Sequence, residues 1–112
     1  GSLVVFWATW CGPCKLGIPW FMEFQENYGA KGLVVVGISS DDTLDLLKPF
    51  VAKNKMNYVV LQGLGRDDVH EAFGPIWGLP TTYLIGRDGK LCKKHMGLAP
   101  KEQFEKEILG LL

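Results

Sequence analysis

The stretch LVVFWATWCGPCK, residues 3–15, joins an apolar segment to a helix start around two cysteines. Its first five residues, Leu3–Trp7, are all apolar and mostly β-branched or aromatic, which is typical of a strand buried on both faces. Residues 9–13 are turn and helix-start residues, and Pro13 suits a first helical turn. The order of strand, turn and helix predicts that Cys11 lies at the N-terminus of a helix.

The spacing of Cys11 and Cys14 predicts a redox-active disulfide. Residues three apart on a helical turn share one face at about 5–6 Å, which is within the Cα separation that a disulfide allows. The helix N-terminus favours an anion, so Cys11 is the expected thiolate nucleophile. Cys14 lies one turn further in and is the expected resolving cysteine. Gly12 would let the backbone of another protein come close.

A C-x-x-C pair can also form half of a zinc site. Two more ligands would be needed, and the chain offers only Cys92, His70 and His95, which are single and unpaired. The strand before the motif and the helix after it favour redox chemistry over metal binding, so we predict no metal. A lone peroxidatic cysteine is the third reading, but it would need no partner three residues on.

The remaining sequence alternates strand and helix patterns and then ends in a hairpin and a helix. The first helix extends to about Tyr28 and contains Pro19, which should kink it. Asp41, Asp42 or Thr43 is expected to cap the second helix. Further strands are expected over 33–38, 58–61, 81–85 and 90–96, and further helices over about 43–55, 67–74 and from 100 onward. This pattern predicts an α/β fold with a mixed sheet.

Composition limits the classes of function. The 112 residues are 47% apolar, enough for one core, and we treat residues 3–112 as a single domain. Basic and acidic side chains number 12 each, which argues against a nucleic-acid partner and gives no reason to bind an anionic membrane. No apolar run approaches the roughly twenty residues of a membrane-spanning helix. Gly1–Ser2 resembles a cloning scar, and the start within an apolar run predicts a domain cut from a longer protein.

Residues 6–15, FWATWCGPCK, resemble the active site of the thioredoxin superfamily. Pro19 matches the kink proline of that family, and residues 78–85, GLPTTYLI, resemble its cis-proline strand. Pro80 lies 66 residues after Cys14, a longer separation than in plain thioredoxin. The extra segment is similar to that of the TlpA/ResA-like thiol-disulfide oxidoreductases, which have a redoxin or AhpC/TSA-type domain.

The resemblance implies a thioredoxin fold. A central mixed β-sheet would carry helices on both faces, with a helix-containing insertion before the cis-proline strand. The Leu79–Pro80 bond would be cis, and this loop would face the cysteines. An extended partner segment would then bind by strand addition. The expected substrate-binding residues are Trp10, Gly12, Pro13, Trp77, Gly78, Leu79 and Pro80.

The resemblance also implies a reaction. Cys11 would attack a disulfide in a partner protein, and Cys14 would resolve the mixed disulfide. Gly12–Pro13 is the pair found in reducing thioredoxins, which favours a reductase over an oxidase. A dithiol protein would supply electrons, and no organic cofactor is implied. The branch further implies a role in cytochrome c maturation, a position outside the cytoplasm, a membrane-anchored full-length protein and a monomeric domain; a cytoplasmic position is the alternative.

Two alternative functions stay open. A thiol peroxidase of the peroxiredoxin group would carry a threonine where this chain has Ala8. A copper chaperone on this fold would need His70 or His95 close to Cys11.

The chain departs from the family at two positions. Val5 replaces the buried aspartate of thioredoxins, and Gly17 replaces the glutamate that many TlpA/ResA-like proteins carry. Both acids help to move the proton of the buried cysteine. Residues expected to lie outside the chemistry are Cys92 as a spectator thiol, His70 and His95 on the surface, and Trp7 and Trp20 as structural side chains.

Overall fold

A computed structural model describes all residues of the chain, 1–112. Five strands form one sheet: β1 (Ser2–Trp7), β2 (Val34–Ser39), β3 (Val59–Gln62), β4 (Thr81–Ile85) and β5 (Leu91–Met96). Four α-helices pack against it: α1 (Gly12–Tyr28), α2 (Leu44–Lys53), α3 (Asp67–Ala72) and α4 (Lys101–Leu109). A single 3₁₀ turn, Gly29–Lys31, follows α1.

The sheet is mixed, with the strand order β3-β2-β1-β4-β5. Strands β1, β2 and β3 are parallel, because helical crossovers connect them. Strand β4 runs antiparallel to β1, and β5 runs antiparallel to β4 through a tight hairpin. Gly89 in that hairpin has a φ of +78°, which a side chain would disfavour. The predicted α/β fold with a mixed sheet is confirmed.

Helices cover both faces of the sheet. On one face, Phe21 of α1 and Phe104 of α4 pack with Leu3 and Val5 of β1. On the other face, Phe73 at the end of α3 packs edge-on against Phe6 of β1. The segment α2-β3-α3 lies between β2 and β4 in the chain, as the predicted insertion requires. No helix combines the length and hydrophobicity needed to cross a membrane.

The end of β1 is packed tightly, which fixes the start of the cysteine loop. Trp7 is 2% exposed, and its ring packs against the ring of Phe50 in α2. A carbon added at Gly37 of β2 would lie 3.0 Å from the Trp7 indole nitrogen. Gly37, which follows three valines in β2, therefore makes room for the indole. Trp7 is structural, as the sequence suggested.

Of the three residues predicted as possible caps of α2, only Thr43 is at the N-cap position. The helix begins after Thr43, which is its N-cap but makes no side-chain cap bond. Asp41 and Asp42 lie in the preceding loop, and their carboxylates bind the segment before Cys11. Aspartate favours helix caps, but here both aspartates accept tertiary hydrogen bonds instead. Their position in the sequence does not distinguish these two uses of the carboxylate.

Candidate active site

Cys11 is the N-cap residue of α1. Its backbone is extended, with φ −86° and ψ 112°, and its sulfur accepts a hydrogen bond from the Cys14 N–H at 3.3 Å. Pro13, in the first turn, has no N–H to leave unpaired. The free N–H groups and the positive end of the helix dipole therefore face this sulfur. Negative charge on it would be stabilised once the disulfide opens.

Cys11 and Cys14 form a disulfide with Cα atoms 5.3 Å apart. Both are buried, at 4% and 3% exposure, within a cluster that includes Trp7, Ile18 and Leu47. Burial of Cys14 agrees with its expected role as the resolving cysteine. Cys11, the expected nucleophile, is buried to the same extent. Gly12 and Pro13 between them are exposed. A partner sulfur must therefore approach Cys11 along the surface that these two residues share with the neighbouring groove.

That groove brings together four residues expected in the substrate site. The groove has a volume of about 270 Å³. The predicted substrate-binding residues that line it are Trp10, Trp77, Gly78 and Leu79. The two tryptophans are 65% and 77% exposed. At 77% exposure, Trp77 is a surface residue and not a packing residue of the core. The sequence analysis missed three further lining residues: Ser40, His70 and Ile76.

Pairing of β4 with β1 places the second loop beside the first. Phe6 near the end of β1 pairs with Thr81 at the start of β4, so the preceding Leu79–Pro80 lies at the same sheet edge as the cysteine loop. The Leu79–Pro80 peptide bond is cis, and Pro80 is buried. The hydroxyl of Thr81 donates to the Gly78 carbonyl at 2.6 Å and closes the loop on itself.

Two adjacent carboxylates bind the cysteine loop from β2's side. Asp42 accepts hydrogen bonds from the Thr9 N–H at 2.8 Å and from the Thr9 hydroxyl at 2.7 Å. Asp41 accepts from the indole N–H of Trp10 at 2.9 Å. These contacts span more than thirty residues of sequence, so spacing and propensity give no signal for them. The one signal in the sequence is that Asp41 and Asp42 closely follow a buried strand, which places them near the edge of the sheet.

Of the two histidines expected on the surface, His70 is partly exposed and His95 is largely buried. The His70 Nδ1 lies 3.0 Å from the Arg66 carbonyl, so this nitrogen carries the proton, and the ring lies 5.3 Å from that of Phe6. Its position on short α3 brings it to the groove. His95 joins β5 to α4: its Nε2 lies 2.7 Å from the Glu107 carboxylate, and its side chain is only 12% exposed.

The two positions without the family's acids are both buried. Val5 is 2% exposed and lies in the same hydrophobic core cluster as Phe21 and Phe104. A carbon added at Gly17 would lie 3.1 Å from Leu98 Cδ1 and 3.3 Å from the Phe21 ring. A side chain at Gly17 would therefore require Leu98 and Phe21 to shift by a few tenths of an ångström.

The third cysteine lies at the opposite end of the sheet. Cys92 is exposed on β5, next to the pairing of β5 with the end of β4, and its sulfur lies 3.6 Å from the Lys90 carbonyl. Across the whole chain, no three His, Cys, Asp or Glu side chains come together as a metal site would require.

Residues 1–94 match the model of the AhpC/TSA family. The chain belongs to the AhpC/TSA family. It is 34% identical over 106 residues to the thiol-disulfide oxidoreductase ResA of Bacillus cereus strain ZK / E33L, covering 94% of this chain and 60% of that relative. The chain thus spans about three fifths of the length of the curated relatives it matches.

Solved structures agree with this AhpC/TSA assignment. One from Chlorobium tepidum, provisionally named thiol:disulfide interchange protein DsbE, is 34% identical with a TM-score of 0.89, covering 98% of this chain and 78% of that one. A thiol:disulfide interchange protein of the thioredoxin family from Chlorobium tepidum TLS is 26% identical, with the same coverage and TM-score. The thioredoxin-like fold and the ResA-like resemblance predicted from the sequence are confirmed.

Proposed function

We propose that this AhpC/TSA-family chain is a thiol-disulfide oxidoreductase that reduces disulfides in partner proteins. The observation that carries the proposal is the Cys11–Cys14 disulfide at the N-terminus of α1, directly beside an exposed apolar groove. The names of the ResA and interchange-protein relatives support the same chemistry. The Gly12–Pro13 pair favours the reducing direction, as in the thioredoxins that the motif resembles.

The reaction runs in two exchanges, starting from the reduced dithiol. The Cys11 thiolate attacks one sulfur of the partner disulfide; a new S–S bond forms, and the other partner sulfur leaves as a thiolate that takes up a proton. Cys14 then loses its proton and attacks the Cys11 sulfur. The partner leaves as a dithiol, and Cys11–Cys14 is oxidised by two electrons. A dithiol protein acting as electron donor reduces the pair again.

The groove would hold the partner segment in an extended form. Trp10 and Trp77 offer apolar faces on which a partner side chain can pack. A carbon added at Gly12 or at Gly78 would meet nothing within 4 Å, so both glycines leave open space for an approaching backbone. Backbone pairing beside Leu79 and Pro80 would give affinity with little dependence on the partner's sequence.

Trapping experiments test the roles of the cysteines. Cys14→Ser should accumulate mixed disulfides between Cys11 and a disulfide-bonded substrate protein, because attack proceeds and resolution fails. Cys11→Ser should abolish both trapping and turnover, and Cys92→Ser should alter neither. Mass spectrometry of the trapped species identifies the sulfur involved. Trapping through Cys92, or equal trapping by Cys11→Ser, would reject the assignment.

The two alternative functions are tested with the same reduced protein. A peroxidase would consume hydrogen peroxide catalytically with Cys14→Ser still active, whereas an exchange enzyme needs both cysteines. A copper chaperone would bind one Cu(I) tightly when titrated. His95 is paired with Glu107, and His70 is the only histidine that lines the groove. His70 is therefore the candidate copper ligand beside the cysteines.

We further propose, from the ResA-like resemblance, a monomeric domain of a membrane-anchored protein working outside the cytoplasm in cytochrome c maturation. The substrate would then be an oxidised C-x-x-C-H segment, the type that attaches c-type haem. Reduction of such a peptide at least several-fold faster than a disulfide peptide of unrelated sequence would support this role. Sedimentation of the purified chain tests the monomer.

A further inference from the structure

Asp42 is a buried carboxylate whose hydrogen-bonding capacity is directed at the cysteine loop. It is 2% exposed and accepts from the Thr9 N–H, from the Thr9 hydroxyl and from the Ser39 hydroxyl at 2.7–2.8 Å. No cation pairs with it among the ion pairs of the chain. A charge that is buried without an ion pair depends on its hydrogen bonds, so this geometry is strongly specified.

These bonds continue the sheet where its ladder stops. The β1–β2 register ends at Trp7 opposite Ser39, and one further backbone bond joins the Ser40 N–H to the Trp7 carbonyl at 2.9 Å. Beyond that point only Asp42 holds Thr9 to the β2 side. The Cys11 N–H in turn donates to the Ala8 carbonyl at 3.2 Å. The position of Cys11 therefore depends on a loop that Asp42 fixes.

Asp41 binds the side chain of Trp10, the residue that follows Thr9. It is exposed, and its Oδ1 accepts from the indole N–H of Trp10, which is 65% exposed. An indole with so little packing would rotate freely without this bond. The two adjacent aspartates thus hold the two consecutive residues, Thr9 and Trp10, that immediately precede Cys11.

We propose that Asp41 and Asp42 are positioning residues with separate tasks. Asp42 holds the backbone that aims the Cys11 sulfur, and so supports the exchange step itself. Asp41 holds the Trp10 indole as one wall of the groove, and so supports partner binding. The inference rests on the proposed thiol-disulfide exchange, and it divides that function between two neighbouring carboxylates that touch no reacting atom.

Single-turnover kinetics separate the two tasks. Reduced protein is mixed with excess disulfide-linked peptide, quenched with acid and analysed by mass spectrometry, giving a maximal rate and a half-saturating concentration. Asp42→Asn places an amide against three donors and should lower the maximal rate about 10- to 100-fold, because small misplacement of a nucleophile is costly. Asp41→Ala should raise the half-saturating concentration about three- to tenfold at an unchanged maximal rate.

Conservative variants distinguish positioning from mere stability. Asp41→Asn keeps an acceptor oxygen for the indole and should restore binding. Thr9→Val removes the hydroxyl that Asp42 accepts from, whereas Thr9→Ser keeps it, so only Thr9→Val should be slow; this pair decides the case if Asp42→Asn does not fold. Tyr28→Phe removes the 2.8 Å bond to Glu105 between α1 and α4 and serves as the control for lost stability alone.

A second readout keeps this inference separate from the proposed function. In a Cys92→Ser background, the alkylation rate of reduced Cys11 by iodoacetamide should fall in Asp42→Asn and Thr9→Val and stay unchanged in Asp41→Ala. This rate needs no protein partner, so an inactive wild type would reject the proposed function while the positioning role is still measured. If the variants only lower the denaturation midpoint, as Tyr28→Phe does, the positioning role is wrong.

Discussion

The two loops that flank the disulfide are held in different ways. The cysteine loop, residues 8–11, is bound from outside by Asp41 and Asp42 of the β2–α2 loop. The proline loop, residues 76–80, is closed from within by the Thr81 hydroxyl on the Gly78 carbonyl, and it leaves Trp77 77% exposed. One side of the groove is therefore tied to the β2–α2 loop, while the other side is held by a hydrogen bond of its own.

The difference fits the chemistry proposed for each side. A nucleophile gains rate from a fixed position, because misorientation by even a small distance is costly. A surface that must accept different protein segments gains from an exposed apolar face, since strand addition draws its affinity from backbone hydrogen bonds. Substitutions in and around the two loops test this difference.

The largest expected effect concerns a feature that both loops lack. Residues 8–11 and 76–80 include no carboxylate, and Val5 and Gly17 supply none. Cys14 must lose its proton in an apolar cluster, where the thiolate is disfavoured. Val5→Asp should therefore accelerate release of the mixed disulfide near pH 7, by up to the ~10²–10⁴-fold typical of general base catalysis. Its cost is a stability loss of about 1–3 kcal/mol for a buried polar group.

Stopped-flow fluorescence follows this step, because a disulfide beside the Trp10 indole should quench its emission. In the wild type the resolving rate should rise steadily with pH instead of levelling near neutrality. Val5→Asn is the matched control, since it places a polar group at the same buried position without adding an acid. A pH-independent wild-type rate that Val5→Asp does not change would show that a base elsewhere, between Asp41 and Gly74, serves Cys14.

Removing each tryptophan tests the contrast directly. Trp77→Ala should raise the half-saturating concentration of a disulfide peptide about tenfold and leave the maximal rate unchanged, because its ring is an exposed contact surface. Trp10→Ala should raise it by a similar factor, and it should also change the maximal rate, because Trp10 is attached to the fixed loop beside Cys11. Identical rate and binding changes in the two variants would remove the distinction between the loops.

A smaller effect is expected from opening the proline loop. Thr81→Val keeps the size of a buried side chain but removes the hydroxyl that donates to Gly78. The half-saturating concentration should rise about threefold, as for the loss of one neutral hydrogen bond. Thr81→Ser should retain the wild-type value. A loss of maximal rate comparable to that of Thr9→Val would mean that both loops position the nucleophile.

The smallest effect is expected far from both loops. Cys92→Ser should leave rate, binding and trapping unchanged, because Cys92 lies on the opposite end of the sheet from Pro80. A measurable loss in the same single-turnover assay would indicate a three-thiol relay.

Much of the fold followed from local sequence patterns. The apolar run before the cysteines, the alternation of strands and helices and the final hairpin were predicted from neighbouring residues, whereas the insertion was inferred from the resemblance to TlpA/ResA-like proteins. Within the site, the groove residues Trp10, Trp77 and Leu79 came from the resemblance to the thioredoxin superfamily. Burial of Cys11 itself was not foreseen, because it depends on Trp7 and Leu47 packing from other elements.

The contacts that sequence reasoning missed all join segments distant in the chain. His70 reaches the groove from α3, and Asp42 reaches Thr9 across 33 residues. The interpretation of the aspartates as caps was reasonable locally, since aspartate favours that position. Tertiary hydrogen bonds overrode the preference. Such competition leaves no trace in periodicity or spacing.

The equilibrium reduction potential of the Cys11–Cys14 pair tests the central claim most directly. The protein is equilibrated with glutathione buffers of graded composition, and the fraction of disulfide is read by alkylation and mass spectrometry in a Cys92→Ser background. A protein-disulfide reductase with the Gly12–Pro13 pair should have a potential near the thioredoxin end of the scale, at about −270 mV. A value above about −180 mV would place the pair among oxidants and contradict the account.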